Sequence, residues 1–437
     1  MKKMFYFLFC LMTVLTFSSC SDDDEEYKVY PVQIQLVYPE TAGIIPSADV
    51  TVALKNTASG TEFTAVTNEA GLAKFEVPEG LYEASATDKR VVSAKVLLFN
   101  GLSSNVAVSA QSSTYNLNLE VSMGGSIVIK ELYVGGCPKD DGSGRFAMDQ
   151  YVILYNNSSE TLDISDFVFA MVNPFNAVGS NRDYIDGKLF YAADKVIPAG
   201  VSVWYFNSGV KLESGKELVV SITGAINHTA TYSQSVDLSK SEYYCFYDTE
   251  DFNHAKYYPS PSENIDPKHY LKTYKYGLGT AWPLSQISPA FFIFRPEGTS
   301  LEAFVNDPAT TNYYGGNANM GRKMVPEAWI VDGIEVFKEG AKDNLKRLTP
   351  SIDAGYVNMT NGLGYTLYRN VDKEATEALE ANKGKLVYSY ALGVGESTDP
   401  SGIDAEASMK QGARIIYKDT NNSTNDFHQR SKASLRN

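Results

Sequence analysis

The sequence predicts an all-β protein built as two successive sandwiches, the second carrying a large loop-rich insertion. Two patterns point there. Short runs alternate apolar and polar residues with a period of two, as half-buried strands do. Clusters of Gly, Pro and Asn bound those runs, which marks turns between strands. A length of 437 residues exceeds what one hydrophobic core usually serves, so two domains are expected. The hydrophobic share of 43% is that of a globular chain, not a disordered one.

The first element is a secretion signal. Lys2 and Lys3 give a basic start, Met4 to Phe17 an apolar middle, and Phe17-Ser18-Ser19-Cys20 a small-residue cleavage site. That apolar run is shorter than the roughly 20 residues needed to span a bilayer, which favours a removable signal. The string ending at Cys20 resembles the lipobox of bacterial lipoproteins, with Phe17 in place of the usual leucine. The resemblance implies cleavage of residues 1–19, acylation of Cys20, and outer-membrane lipid as the partner of that cysteine. The tether at 20–26, with Ser21-Asp22-Asp23-Asp24-Glu25-Glu26, resembles the surface-export signal of Bacteroidota lipoproteins. It implies display on the outer face of the outer membrane.

Charge narrows the partners. The formal net charge is −14, and loss of residues 1–19, which hold Lys2 and Lys3 but no acid, makes it −16. A body this acidic repels nucleic acid and anionic surfaces. Cys137 and Cys245 remain in the mature chain; export permits a disulfide between them, and the sequence leaves the pairing open. No Cys/His cluster has zinc-finger spacing.

Residues 27–122 read as the first sandwich. Val32–Leu36, Val50–Leu54 and Tyr115–Leu119 alternate, and turns are expected at Glu69-Ala70-Gly71 and Pro78-Glu79-Gly80. The stretch from Thr67 to Tyr82, with Asn68, Gly71, Ala73, Phe75, Pro78 and Gly80 at intervals, resembles the prealbumin-like (carboxypeptidase-regulatory-like) modules. In that family the module is a spacer or docking piece without catalytic residues.

After a boundary at Met123-Gly124-Gly125, residues 125–437 form the second unit. Ser126–Tyr133, Tyr151–Asn157, Glu160–Phe167, Val201–Phe206, Trp329–Phe337 and Gly364–Arg369 are its expected strands. Ile127 to Tyr133 followed by Tyr151 to Phe167 resembles the lamin-tail domain, an immunoglobulin-like sandwich, and Gly364–Arg369 echoes that family's Gly-x-Ser-x-x-Arg strand with Thr366 for serine. The whole arrangement is similar to a Bacteroidota surface-lipoprotein family known only as a domain of unknown function. The insertion is expected at about 207–328, and the best helix formers lie in Val371–Asn382.

Chemistry is sought in the insertion. From Tyr243 to Phe294 aromatic residues are dense, and prolines at 259, 261, 267, 283 and 289 forbid long regular elements. Tyr257, Tyr258 and Trp282 suit a stacking ligand such as a sugar or planar molecule, and equally a packing core of their own. His254 and His269, near several carboxylates, are the candidate ligands of a bound metal ion. Asp419–Asp426 places oxygen ligands at every second residue, yet Thr424 and Arg430 stand where a calcium loop needs Gly and Glu, so a polar turn is favoured. No G-x-S-x-G elbow, Walker A string or Rossmann fingerprint occurs, and no enzyme is expected. Two functions compete. One is ligand capture (metal, metal complex or glycan) for a TonB-dependent outer-membrane transporter. The other is a structural or adhesive surface protein that grips another protein through the aromatic insertion.

Overall fold

The structure, a computed structural model, describes residues 28–39, 46, 48–92, 95–110, 113–123 and 125–436. The expected secretion signal, Cys20 and the acidic run after it lie outside the described residues. The chain is all-β, with strands in two groups of sheets over separate cores.

In the first group, Val29–Val37 is the centre of a three-stranded sheet, antiparallel to Leu72–Pro78 and parallel to Ser113–Asn118. Facing it is a five-stranded sheet in the order Glu62–Val66, Thr51–Asn56, Gly80–Val92, Lys95–Val108, Glu120–Met123. The alternation read from the sequence sets which residues meet: Val32, Ile34, Leu36, Val52, Leu54, Phe75 and Val77 all point into one core. The turn at Pro78-Glu79-Gly80 does more than reverse the chain, because its two flanking strands belong to different sheets. Tyr82 Oη donates to the Pro78 carbonyl at 2.9 Å and fixes that crossing. Gly71 sits at φ +73°, where a Cβ would lie 2.8 Å from Pro46 Cβ, so the turn at 68–71 requires glycine.

The second group is dominated by one twelve-stranded sheet. Its spatial order is Val357–Met359, Ile330–Lys338, Ala290–Phe294, Val168–Met171, Ser202–Tyr205, Tyr270–Lys275, Tyr244–Phe246, Glu217–Ser221, Tyr151–Asn156, Ile127–Tyr133, Thr366–Arg369, Phe427–Arg430. The sheet rolls over on itself, since residues from both halves, such as Val152, Leu154, Phe169, Trp204 and Phe291, share one core. Its outer faces are covered as well: Val168, Phe292 and Phe294 pack beneath Tyr191, Phe304 and Leu348, while Tyr155 and Tyr368 pack beneath Ile403 and Ile415. Strands buried on both faces lose the need for polar alternation, which is why Ile127–Tyr133 and Ala290–Phe294 are buried throughout.

Two expectations change here. Residues 207–328 are rich in loops as expected, but they are also built into the scaffold: Glu217–Ser221, Tyr244–Phe246, Tyr270–Lys275 and Ala290–Phe294 are interior strands of the main sheet. The expected helix at 371–382 shortens to Lys373–Glu377, capped by Asp372, whose side chain accepts from Ala375 N. Thr376 turns its hydroxyl to the Ile416 carbonyl, and Asn382 folds back onto the Thr376 carbonyl, so the chain continues as a 3₁₀ turn at Glu380–Asn382. Asp419–Asp426 is a polar turn: Asp426 accepts from Thr420 N, Thr420 Oγ1 and Asn422 N, and Asn422 caps the short helix Ser423–Asp426. Cys137 and Cys245 are both buried and unpaired.

The two groups are joined by polar contacts. Asn100 Nδ2 donates to the Thr420 carbonyl at 2.8 Å in a buried position, and Lys89 pairs with Asp372 at 3.1 Å.

Buried charge gives the fold a pH signature. Burial pushes Asp149 up to about 6 and Asp426 up to about 6, against the lowering effect of Ser235 on the first and Arg369 on the second. Such groups contribute stability fully present below the ordinary carboxylate pKa and lost as pH rises through about 6. His428 acts in the opposite sense. Its Nδ1 lies 2.7 Å from Asn370 Oδ1 and its Nε2 meets Tyr390 Oη, which fits the neutral ring with its proton on Nδ1. Burial, helped by Arg430, lowers it to about 3. Its contribution is present above about 6.5 and lost as pH falls towards 3. The buried acids outnumber it, so the melting temperature is expected to rise from pH 8 to pH 5. His428→Gln should rise further than the wild type, gaining about 2 kcal/mol on it between those pH values. Parallel wild-type and variant curves would refute the neutral-histidine assignment.

Candidate functional site

The aromatic segment is assembled by the sheet beneath it. Phe246, on the central strand Tyr244–Phe246, stacks on Trp204 of the adjoining half at 4.7 Å between ring centroids. Phe252 stacks on the same indole at 5.4 Å, and Trp282 meets Phe246 edge-on at 5.5 Å. Tyr258 closes the group: its hydroxyl accepts from Trp282 N at 3.0 Å, and burial pushes its pKa up. Trp282 is 1% exposed and Tyr258 5%, while Tyr257 is half-buried against the same core.

This corrects the expected ligand platform. A stacking surface must present a ring face to solvent, and those of Trp282 and Tyr258 are turned into packing. Prolines 259, 261 and 283 do stiffen the segment, but in the service of a core lid.

The histidines are not gathered. His254 lies exposed on a turn, edge-on to Tyr257 at 5.2 Å. His269 ends a short 3₁₀ turn capped by Asp266, stacks on Tyr244 at 4.2 Å, and sets Nδ1 3.2 Å from the Tyr243 carbonyl. Among the described residues no group of three or more His, Cys, Asp or Glu is placed to hold a metal ion, so the structure gives His254 and His269 no shared coordination site.

Sequence reasoning passed over a different feature. Three loops are stitched together beyond one end of the strands Val168–Met171, Ala290–Phe294 and Val357–Met359. Arg347, fully buried, donates Nη1 to the Pro174 carbonyl at 2.7 Å and Nη2 to the Ser288 carbonyl at 2.5 Å. Its Nε donates to Glu335 Oε1 at 3.0 Å, so the guanidinium is oriented by the ion pair. Ala177 N donates to Ser288 Oγ at 2.7 Å, and Asn361 Nδ2 donates to the Gln286 carbonyl. The loops so joined, an ordered apex, carry Phe175, Val178, Ile287 and Leu363, each between 42% and 51% exposed. Their sequence signal was visible as large apolar residues inside turns: Asn173-Pro174-Phe175, Ile287-Ser288-Pro289 and Gly362-Leu363-Gly364.

These features define an all-β scaffold with a doubly covered main sheet and a rigid apolar loop apex. The chain belongs to the DUF4876 family of proteins of unknown function, whose model matches residues 213–434. A solved DUF4876 family protein from Bacteroides thetaiotaomicron shares 21% identity and a TM-score of 0.52, covering 91% of this chain and 94% of its own, and supports the fold. A putative adhesin from Bacteroides ovatus matches at 10% identity and a TM-score of 0.18, over 65% of this chain and 86% of its own. A DUF3823 family protein from Parabacteroides merdae matches at 12% and 0.15, over 43% of this chain and all of its own. Comparison with curated proteins gives no match.

Proposed function

We propose that this protein is a non-enzymatic lipoprotein, acylated at Cys20 and displayed on the outer face of the outer membrane, where it docks on a TonB-dependent transporter as a ligand-capture accessory. The observation that carries the docking is the apex: four exposed apolar side chains on loops joined by the buried Arg347 and by Asn361. Water-exposed apolar groups on rigid loops gain by burial against a partner and lose little entropy on binding. The lipid anchor implied by Cys20 confines the search for that partner to the membrane, which favours a resident membrane protein. In this reading the N-terminal unit is a prealbumin-like spacer and the remainder a lamin-tail-like body.

The test is co-purification from detergent-solubilised outer membranes. The wild type is expected to elute with a TonB-dependent transporter. A variant with Phe175, Val178, Ile287 and Leu363 all changed to Ser should keep its melting temperature and bind the purified transporter roughly thirtyfold or more weakly, as loss of an interface hot spot implies. A wild type that elutes without any transporter, or a variant that binds it as tightly, overturns the proposal. Binding of the apex to another surface protein in its place would favour the adhesive role.

A further inference from the structure

A second surface feature shares no residue with the apex. Between the helix Lys373–Glu377 and Tyr388 lies a cleft of about 400 Å³, lined by Glu377, Leu379, Glu380, Lys383, Leu386 and Tyr388, among others. Its volume falls within the roughly 300–1,000 Å³ of small-molecule sites.

The floor is rigid. Asn382, buried beneath the cleft, donates Nδ2 to the Thr376 carbonyl at 2.8 Å and to the Arg414 carbonyl at 2.7 Å, and its Oδ1 accepts from Arg414 N at 2.8 Å. Leu386 packs against the core below. Above that floor Tyr388 is 57% exposed, held by one bond from its hydroxyl to Glu377 Oε1 at 2.8 Å. A tyrosine left mostly in water while its hydroxyl is pinned presents an oriented ring at no further conformational cost.

The polar lining is balanced in charge. Glu377, Glu380 and Lys383 line the cleft, with Lys383 Nζ 3.8 Å from Glu380, and the second ammonium group, Lys373, stands beside it with Nζ 5.9 Å from the Tyr388 ring centroid. A net cation or anion gains little from such a set. A neutral ring with several hydroxyls gains from all of it, since carboxylates accept from hydroxyls, ammonium groups donate to them, and the apolar ring face stacks on tyrosine.

We infer that the Tyr388 cleft binds a neutral sugar ring, stacked on Tyr388 with its hydroxyls bonded to Glu377 and Glu380. The inference goes beyond transporter docking and can stand or fall without it.

The test uses the mature soluble chain on an array of neutral, anionic and amine-bearing oligosaccharides, followed by titration with the neutral glycan that gives the strongest signal. Tyr388→Ala is expected to weaken that glycan about tenfold or more, by analogy with other aromatic stacking platforms, and Glu377→Gln to weaken it less. Both residues are exposed, so circular dichroism should be unchanged in both variants. The apex variant should bind the glycan like the wild type, which separates this result from the docking test. No neutral glycan bound, binding unaltered in Tyr388→Ala, or preference for the anionic or amine-bearing probes would each overturn the inference.

Discussion

Arg347→Met is expected to cost about 3–5 kcal/mol of folding stability and to loosen the apex. The arginine is wholly buried and holds the Glu335 carboxylate and the Pro174 and Ser288 carbonyls with one guanidinium. Methionine fills similar space but donates nothing. Glu335 keeps the backbone N–H groups of residues 347 and 348 and Lys346 Nζ at 3.5 Å, so the carboxylate is only partly stripped. The two loop carbonyls lose a charged donor, and a buried acceptor left unmet costs about 1–3 kcal/mol. Chemical denaturation gives the stability loss, and hydrogen exchange should show faster opening at 173–179 and 284–289. Arg322→Met is the matched control. It breaks the buried bidentate pair with Asp183, at 2.6 and 2.8 Å, and the Arg322 side chain itself bonds to none of residues 173–179 or 284–289. A comparable stability loss with transporter binding kept in the control and weakened in Arg347→Met is the expected pattern. A loss below about 1 kcal/mol for Arg347→Met, the value of a surface ion pair, would contradict the buried assignment.

The same residues show what a sequence can carry. In the first sandwich one face of most strands meets solvent, so Val32, Ile34 and Leu36 announce themselves by alternation. In the main sheet both faces are covered, and the signal changes kind. Trp329–Phe337 alternates in the sequence as a half-buried strand does, yet Asp332 and Glu335 on it are buried carboxylates. Their partners Arg369 and Arg347 are brought there by tertiary structure, 37 and 12 residues away. Nothing in local periodicity names such partners. The strands of the supposed insertion were partly legible: Leu271 and Thr273 alternate with half-buried neighbours, and Ala290–Phe294 is a continuous apolar run of strand length. Dense prolines around them masked that signal. The apex and the Tyr388 cleft were harder, because one apolar residue in a turn is ordinary until its neighbours in space are known.

Trp282 decides between the two meanings of the aromatic segment. Trp282→Ala is expected to cost about 3–5 kcal/mol, the range for emptying a large aromatic site in a packed core. The indole is 1% exposed, meets Phe246 edge-on at 5.5 Å, and its own backbone N–H is held by Tyr258 Oη at 3.0 Å. Removing it takes away the edge-on support of Phe246, the central-strand ring that in turn stacks on Trp204. The hole cannot collapse easily, since its Phe246 wall stands on a strand paired on both sides. His254→Ala, on an exposed turn of the same segment, should stay within about 0.5 kcal/mol of the wild type. Urea denaturation of the two variants makes the comparison directly. A solvent-facing ligand platform predicts the reverse for Trp282, with stability barely changed and only binding lost. A Trp282→Ala chain as stable as the wild type would therefore return the tryptophan to the surface and reopen the segment as a binding site.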